Sequence, residues 1–250
     1  MEPNSNVTNP TIAVYETDVQ HDFGYRVGAL FVHANKPWQM APYGAEEKLP
    51  QIIKIHDYAV KNNWQILGSV DRHFYEDVEL IRNAGGVFED HCMNGTLGQL
   101  RISPLEPQKD VYIRCKDGPL QGIRIYSPQE LKTIVDSRMQ IIFEKQSYDV
   151  GTNPNFEPTL RMLAEKGIKK VVQNGFATDY CNLAALLKMA QCNVQYDLGL
   201  QLYIVTDAIE EVDIDFTGKI DPDFGKKALD KMVNAGARLI TTNEILEGRI

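Results

Sequence analysis

The chain has 250 residues, of which 43% are hydrophobic and 24% charged, enough for one sizeable α/β domain with its own core. Its net charge of −8 argues against a general nucleic-acid binder, which would carry a basic face, and no run is long and apolar enough to span a bilayer. The four cysteines, Cys92, Cys115, Cys181 and Cys192, show no CxxC pairing and no zinc-finger spacing. The polar start lacks the apolar core of a signal peptide, so a cytoplasmic protein with reduced thiols is expected.

In chain order, residues 1–10 read as a loosely attached tail and 11–250 as a single domain. Thr11 to Tyr15 is a β-rich run ending in Glu16-Thr17-Asp18. Gly44 to Asn63 reads as an amphipathic helix, with Leu49, Ile52, Ile53, Ile55, Tyr58 and Val60 near helical spacing. Trp64 to Val70 is a buried strand that stops at Asp71. The 100–138 segment is harder to read. It holds a strand over Val111 to Arg114, a turn near Lys116-Asp117-Gly118 and a helix from Pro128 with Ser127 as N-cap, taken as an elaboration on the same domain. Met139 to Phe143 is a strand ending at Glu144-Lys145. Pro158 to Lys166 is a helix closed by Gly167, Ile168 to Gln173 a strand and Thr178 to Gln191 a helix. Leu202 to Thr206 is a strand ending at Asp207, Asp223 to Asn234 a helix and Ala237 to Thr241 a last strand.

Short, continuous apolar strands alternating with helices indicate a mostly parallel sheet covered on both faces, a Rossmann-like three-layer sandwich. Ligands bind such sheets beyond the C-terminal strand ends. Those ends carry Asp18, Asp71, Lys145 and the segment leading to Cys181, so four reactive groups from distant sequence should meet at one edge.

With Thr178 as N-cap, Cys181 would sit in the first helical turn, where the helix dipole and free N–H groups favour the thiolate and can hold an oxyanion. The plainer reading is a small buried cysteine. Asp18 at a strand end can act as a general base, or simply cap a turn. Lys145 beside a carboxylate and a thiol would hold both anions, and Lys116 competes for that role. Asp71 and His73, two apart on an extended segment, project to one side. With His91 they make three N/O ligands for Zn²⁺ or Fe²⁺, and Glu79 could add an oxygen directly or through water. Without metal they would form a hydrogen-bonded His/Asp pair.

Together these pieces resemble the nicotinamidase/isochorismatase-like cysteine hydrolases. Asp18-Val19-Gln20-His21-Asp22-Phe23 is similar to the family's DxQxDF motif, and Gly28-Ala29-Leu30 to the GAL that often follows it. Asp71-Arg72-His73, Asp77, Glu79 and His91-Cys92-Met93-Asn94-Gly95-Thr96 resemble DxH…DxE…HCxxGT. Gly175 to Cys181 resembles the nucleophile segment GxATxxC. The match is ordered along nearly the whole chain outside 100–138. Asn182 departs from it, standing where an apolar residue is common.

The resemblance implies the isochorismatase-like hydrolase fold, a triad of Asp18, Lys145 and Cys181, and a cis peptide between Phe176 and Ala177. It further implies an oxyanion hole from Ala177 and Cys181, and zinc or iron on Asp71, His73 and His91. Phe23, Phe88 and Phe176 would line the substrate pocket. The implied activity is hydrolysis of a small amide through a thioester with release of ammonia. No organic cofactor is needed, and a homodimer or homotetramer is expected. Alternatives are a carbamoyl, ureido or aliphatic amide hydrolase, with Arg72 or Arg26 holding a carboxylate, or a non-catalytic metal-binding member. An isochorismatase proper fits less well, because the metal ligands and the thiol are both present.

Overall fold

The computed structural model describes residues 10–35, 44–105 and 109–250; the tail expected over residues 1–10 lies outside these except for Pro10. Seven strands form one sheet in the order β3-β4-β2-β1-β5-β6-β7, and every ladder between them is parallel. The strands are β1 (Ile12–Thr17), β2 (Gln65–Asp71), β3 (Asp110–Ile113), β4 (Gln140–Lys145), β5 (Lys170–Phe176), β6 (Gln201–Glu210) and β7 (Arg238–Ile240). The helices are α1 (His21–Gly24), α2 (Leu49–Lys61), α3 (Pro128–Ser137), α4 (Phe156–Glu165), α5 (Leu183–Gln195), α6 (Phe224–Asn234) and α7 (Thr242–Leu246). The sequence pointed to a mostly parallel sheet under helices, and the architecture is that one.

The sheet separates two apolar clusters. Leu131 and Val135 of α3, Phe156, Leu160 and Leu163 of α4, and Ala185, Leu186 and Met189 of α5 pack with Tyr15, Leu67, Ile141 and Phe143. On the other side Leu49, Ile52, Ile55 and Ala59 of α2 and Ile245 of α7 pack with Val14, Ile66 and Val172. Alternate residues of each strand therefore serve opposite cores, which is why the strands read as unbroken apolar runs.

Several elements depart from expectation. The helix expected from Gly44 begins at Leu49, after a 3₁₀ turn over Ala45–Glu47. Strand β6 runs on past Asp207 to Glu210. The 100–138 segment supplies the edge strand β3 and the helix α3, whose Ser127–Glu130 capping box is complete. At the end of β5, Thr178 is not an N-cap. Ala177 takes that position, and a π turn over Thr178–Asn182 precedes α5.

The chain order reverses between β1 and β5, because β2, β3 and β4 lie to one side of β1 and the chain then crosses to β5 on the other. A crevice at the carboxyl ends of such strands is the usual ligand site. At its edge Gly175 has φ +104°, and a Cβ there would lie 2.1 Å from the Thr17 carbonyl oxygen. Gly175→Ala should therefore lower unfolding stability by about 2 kcal/mol or more, read as a lower denaturation midpoint with an unchanged m-value.

Candidate active site

Four strand ends deliver the ionisable groups. Asp18 follows β1, Asp71 ends β2, Lys145 ends β4, and Cys181 lies in the turn after β5. The Lys145 side chain is buried, with its Nζ 2.8 Å from Asp18 Oδ2 and 3.8 Å from Cys181 Sγ, and it also pairs with Asp71 Oδ1. Asp18 has φ +47°, held by its own N–H donating to the Ser69 carbonyl at 3.0 Å and by Ser69 Oγ donating to its Oδ1 at 2.7 Å. Lys116, the rival lysine, lies instead 3.5 Å from Asp77 Oδ1.

Burial dominates the proton equilibria here. It opposes the Lys145 ammonium, but Asp18, Asp71 and Cys181 outweigh it and hold its pKa well above the ordinary lysine value. Burial raises the Asp18 pKa, with Lys145 opposing and Asp71 adding to the rise. The Cys181 thiol is pushed well above its usual value by burial, and the pull of Lys145 does not cancel that push and the repulsion from Asp18 and Asp71. The expectation that the helix start favours a resting thiolate is thus corrected: burial and two carboxylates favour the protonated thiol.

Asp71, His73 and His91 bring one ligand atom each to within 4.8 Å of one another. His91 Nε2 lies 3.6 Å and His73 Nε2 4.0 Å from Asp71 Oδ2, and His73 Nε2 lies 3.7 Å from Glu79 Oε2. His73 Nε2 and Glu79 Oε2 are buried and make no hydrogen bond. Two orphaned acceptor atoms beside a second imidazole and the Asp71 carboxylate suit a divalent cation with N/O ligands. The opposite ring nitrogens are engaged. His73 Nδ1 is 3.3 Å from Asp77 Oδ2 and His91 Nδ1 2.6 Å from the Glu89 carbonyl, which turns both Nε2 atoms inward.

Residues without an assigned role in the sequence prove to be braces. Gln20 clamps the Asp71 backbone, accepting from its N–H at 2.7 Å and donating to its carbonyl at 2.8 Å. Asp22 accepts from Cys92 N at 2.7 Å and Ala29 N at 3.0 Å, and a Cβ on Gly28 would lie 2.3 Å from the Asp22 carbonyl oxygen. Asn182, the polar residue after Cys181, donates to the Gly175 carbonyl at 2.7 Å and accepts from Gln173 at 2.8 Å, tying the π turn to β5. The Phe176–Ala177 peptide is cis.

Of these groups Asp71, Glu79, His91 and Cys181 line a cavity of about 430 Å³, shared with Phe23, Phe88, Ala177 and Tyr180. Phe176, expected in the pocket, is instead fully buried in the core on the α2 side of the sheet. Alternation along β5 explains it, because Phe176 shares a face with Val172. Neither arginine proposed to hold a substrate carboxylate lines the cavity. Arg72 is committed to Glu144 at 3.0 Å and Asn94 at 2.8 Å, and Arg26 pairs with Glu46 and Glu47 at the surface.

A parallel α/β fold with a buried acid–lysine–thiol array and a candidate metal cluster is thereby defined. Residues 127–244 match the isochorismatase domain family. No curated protein sequence matches the chain. Among solved structures, the fold is shared with a pyrazinamidase of Pyrococcus horikoshii in complex with zinc (21% identity, 93% of this chain and 99% of that one, TM-score 0.58). It is shared too with a nicotinamidase from Bacillus subtilis (21%, 92% and 98%, TM-score 0.56) and an isochorismatase-like hydrolase from Alkaliphilus metalliredigens (15%, 96% and 100%, TM-score 0.60). The chain thus has the isochorismatase-like α/β fold, with the isochorismatase domain match confined to residues 127–244.

Asp179, beside the array, is a further buried acid. Burial raises its pKa to about 6, although the N–H groups of Val212 and Asp213 oppose the rise. A carboxyl with a raised folded pKa contributes stability that is complete below its unfolded value and is lost as pH rises through the folded one. The unfolding free energy of the native protein minus that of Asp179→Asn should therefore fall by up to about 3 kcal/mol between roughly pH 4 and pH 6, measured by urea denaturation across that range.

Proposed function

We propose that the protein is a cysteine amidohydrolase that cleaves a small amide as a nicotinamidase does. The observation that carries this reading is the Lys145 ammonium held between Asp18, Asp71 and the Cys181 sulfur beside the cavity. A protein that only bound a ligand would have no use for a base, a cation and a nucleophile in mutual contact.

In the proposed reaction Asp18 takes the thiol proton of Cys181 and the sulfur attacks the amide carbonyl carbon. Lys145 keeps its charge throughout and holds both partners in place. The backbone N–H groups of Ala177 and Cys181 serve the developing oxyanion. Protonated Asp18 gives its proton to the leaving nitrogen, the C–N bond breaks and ammonia departs, leaving a thioester. Water, deprotonated by Asp18, then adds to the thioester carbonyl, and the C–S bond breaks to return the thiol and release the acid. Asp71, His73 and His91, with Glu79 beside them, would hold a zinc or iron ion, which supplies a Lewis-acid contact that orients a ring nitrogen of the substrate. Phe23 and Phe88 flank the ring.

The purified protein should release ammonia from nicotinamide with kcat/KM in the range of roughly 10⁴–10⁸ M⁻¹s⁻¹, and Cys181→Ala should abolish it. A folded, zinc- or iron-loaded protein that releases none would refute the nicotinamidase assignment. Because Asp77 orients His73, Asp77→Ala should weaken zinc binding by about 10- to 100-fold, read by competition with a chelator of known affinity. Unchanged affinity would remove His73 from the metal site.

A further inference from the structure

The cavity is larger and more apolar than a single ring with a carboxamide requires. At about 430 Å³ it falls within the range of roughly 300–1,000 Å³ that houses drug-sized ligands. Its reactive groups are gathered at Asp71, Glu79, His91 and Cys181, while Leu30, Phe31, Ile81, Val87, Ile214 and Phe216 make an apolar wall. Among the described residues lining it there is no lysine or arginine, whereas Glu89 and Asp215 add acidic groups.

The apolar wall is built onto the nucleophile's own turn. Asp179 accepts from Val212 N at 3.0 Å and Asp213 N at 2.8 Å, and Tyr180 Oη donates to the Ile214 carbonyl. The Tyr180 ring meets Phe216 at 5.0 Å between centroids, and Phe216 also meets Tyr148 at 5.7 Å. Ile214 pairs with Ile220 across the turn that presents Phe216. Phe216 is still 51% exposed, an aromatic surface that a bound apolar group would cover.

We infer that the amide accepted here carries a second apolar group of ring size or more, without negative charge, seated between Phe216, Ile214, Val87, Ile81, Phe31 and Leu30. This rests on the amidase reading for its chemistry and on the cavity wall for its occupant. An anionic arm would meet Glu89 and Asp215 with no lysine or arginine among the described lining residues to receive it, and would lose hydration.

The two parts separate experimentally. Zinc-loaded Cys181→Ala protein is titrated calorimetrically with nicotinamide, with phenyl-substituted nicotinamides bearing the arm meta or para to the carboxamide, and with the same compounds carrying a carboxylate on the phenyl ring. At least one uncharged arm-bearing amide should bind about tenfold or more tighter than nicotinamide, and its carboxylated counterpart should lose that gain. Phe216→Ala in the same background should reduce the preference at least threefold. Equal or weaker binding of every arm-bearing amide, or tightest binding by a carboxylated one, overturns the inference. Ammonia release by the wild-type protein is followed on the same compounds. Release from nicotinamide without any binding preference leaves the amidase reading and removes the occupant. A binding preference without release from any compound supports the occupant and removes the amidase reading.

Discussion

The buried ammonium of Lys145 is the constraint on which the rest of this site depends. An ammonium taken out of water carries a penalty of several kcal/mol unless good partners surround it. Here Asp18 and Asp71 pair with it, and the Cys181 sulfur completes its shell. The compensation runs both ways, because Lys145 opposes the upward push of burial on both carboxyl groups. Two carboxylates against one ammonium still leave an excess of negative charge, to which Glu79 adds where its Oε2 approaches His73. A divalent cation among Asp71, His73 and His91 would offset that excess, so Asp71 links the array to the metal cluster by facing Lys145 with one oxygen and both imidazoles with the other.

Such a cluster needs rigid delivery from distant sequence, and a parallel sheet supplies it. Each of β1, β2 and β4 ends at the same edge with an ionisable residue at or just beyond its last position. The ladder hydrogen bonds fix their relative heights, pairing Asp71 with Lys145 in register. Finer placement comes from polar braces with no catalytic role. Gln20 holds the Asp71 backbone from both sides, and Ser69 holds Asp18 in a left-handed conformation that aims its carboxylate at Lys145. Removing such a brace would shift a reacting atom by a fraction of an ångström, and effective molarity is sensitive to displacements on that scale.

Much of this was legible in the sequence, for a physical reason. Strands buried on both faces show as continuous apolar runs, so Asp18, Asp71 and Lys145 stand out where the runs end. The parts that were not legible depend on contacts between segments remote in sequence. The π turn has no periodic signature. It arises because the Ala177 carbonyl accepts from Asn182 N at 2.9 Å, while the Asn182 side chain reaches back to Gly175. The commitment of Arg72 to Glu144 and Asn94 could not be read from a motif that placed it between two metal ligands. Phe176 was misplaced because a residue next to the nucleophile segment looks exposed to substrate, whereas strand alternation turns it into the core.

The opposite character of the two sides of the cavity follows from this arrangement. One side must be polar and buried, because it holds the ionic array and the candidate ligands. Lys145 is committed to the array, and among the described residues lining the cavity there is no lysine or arginine. The other side is built by the 212–220 segment, whose backbone is tied down by Asp179 and Tyr180, the two residues before Cys181. A change in that segment would therefore be felt at the proposed nucleophile, and a ligand filling the apolar wall would pack against the turn that presents the sulfur. In the proposed amidase reaction, binding energy gained far from the scissile bond would in this way hold the carbonyl against Cys181, so that remote contacts raise a rate and not only an affinity.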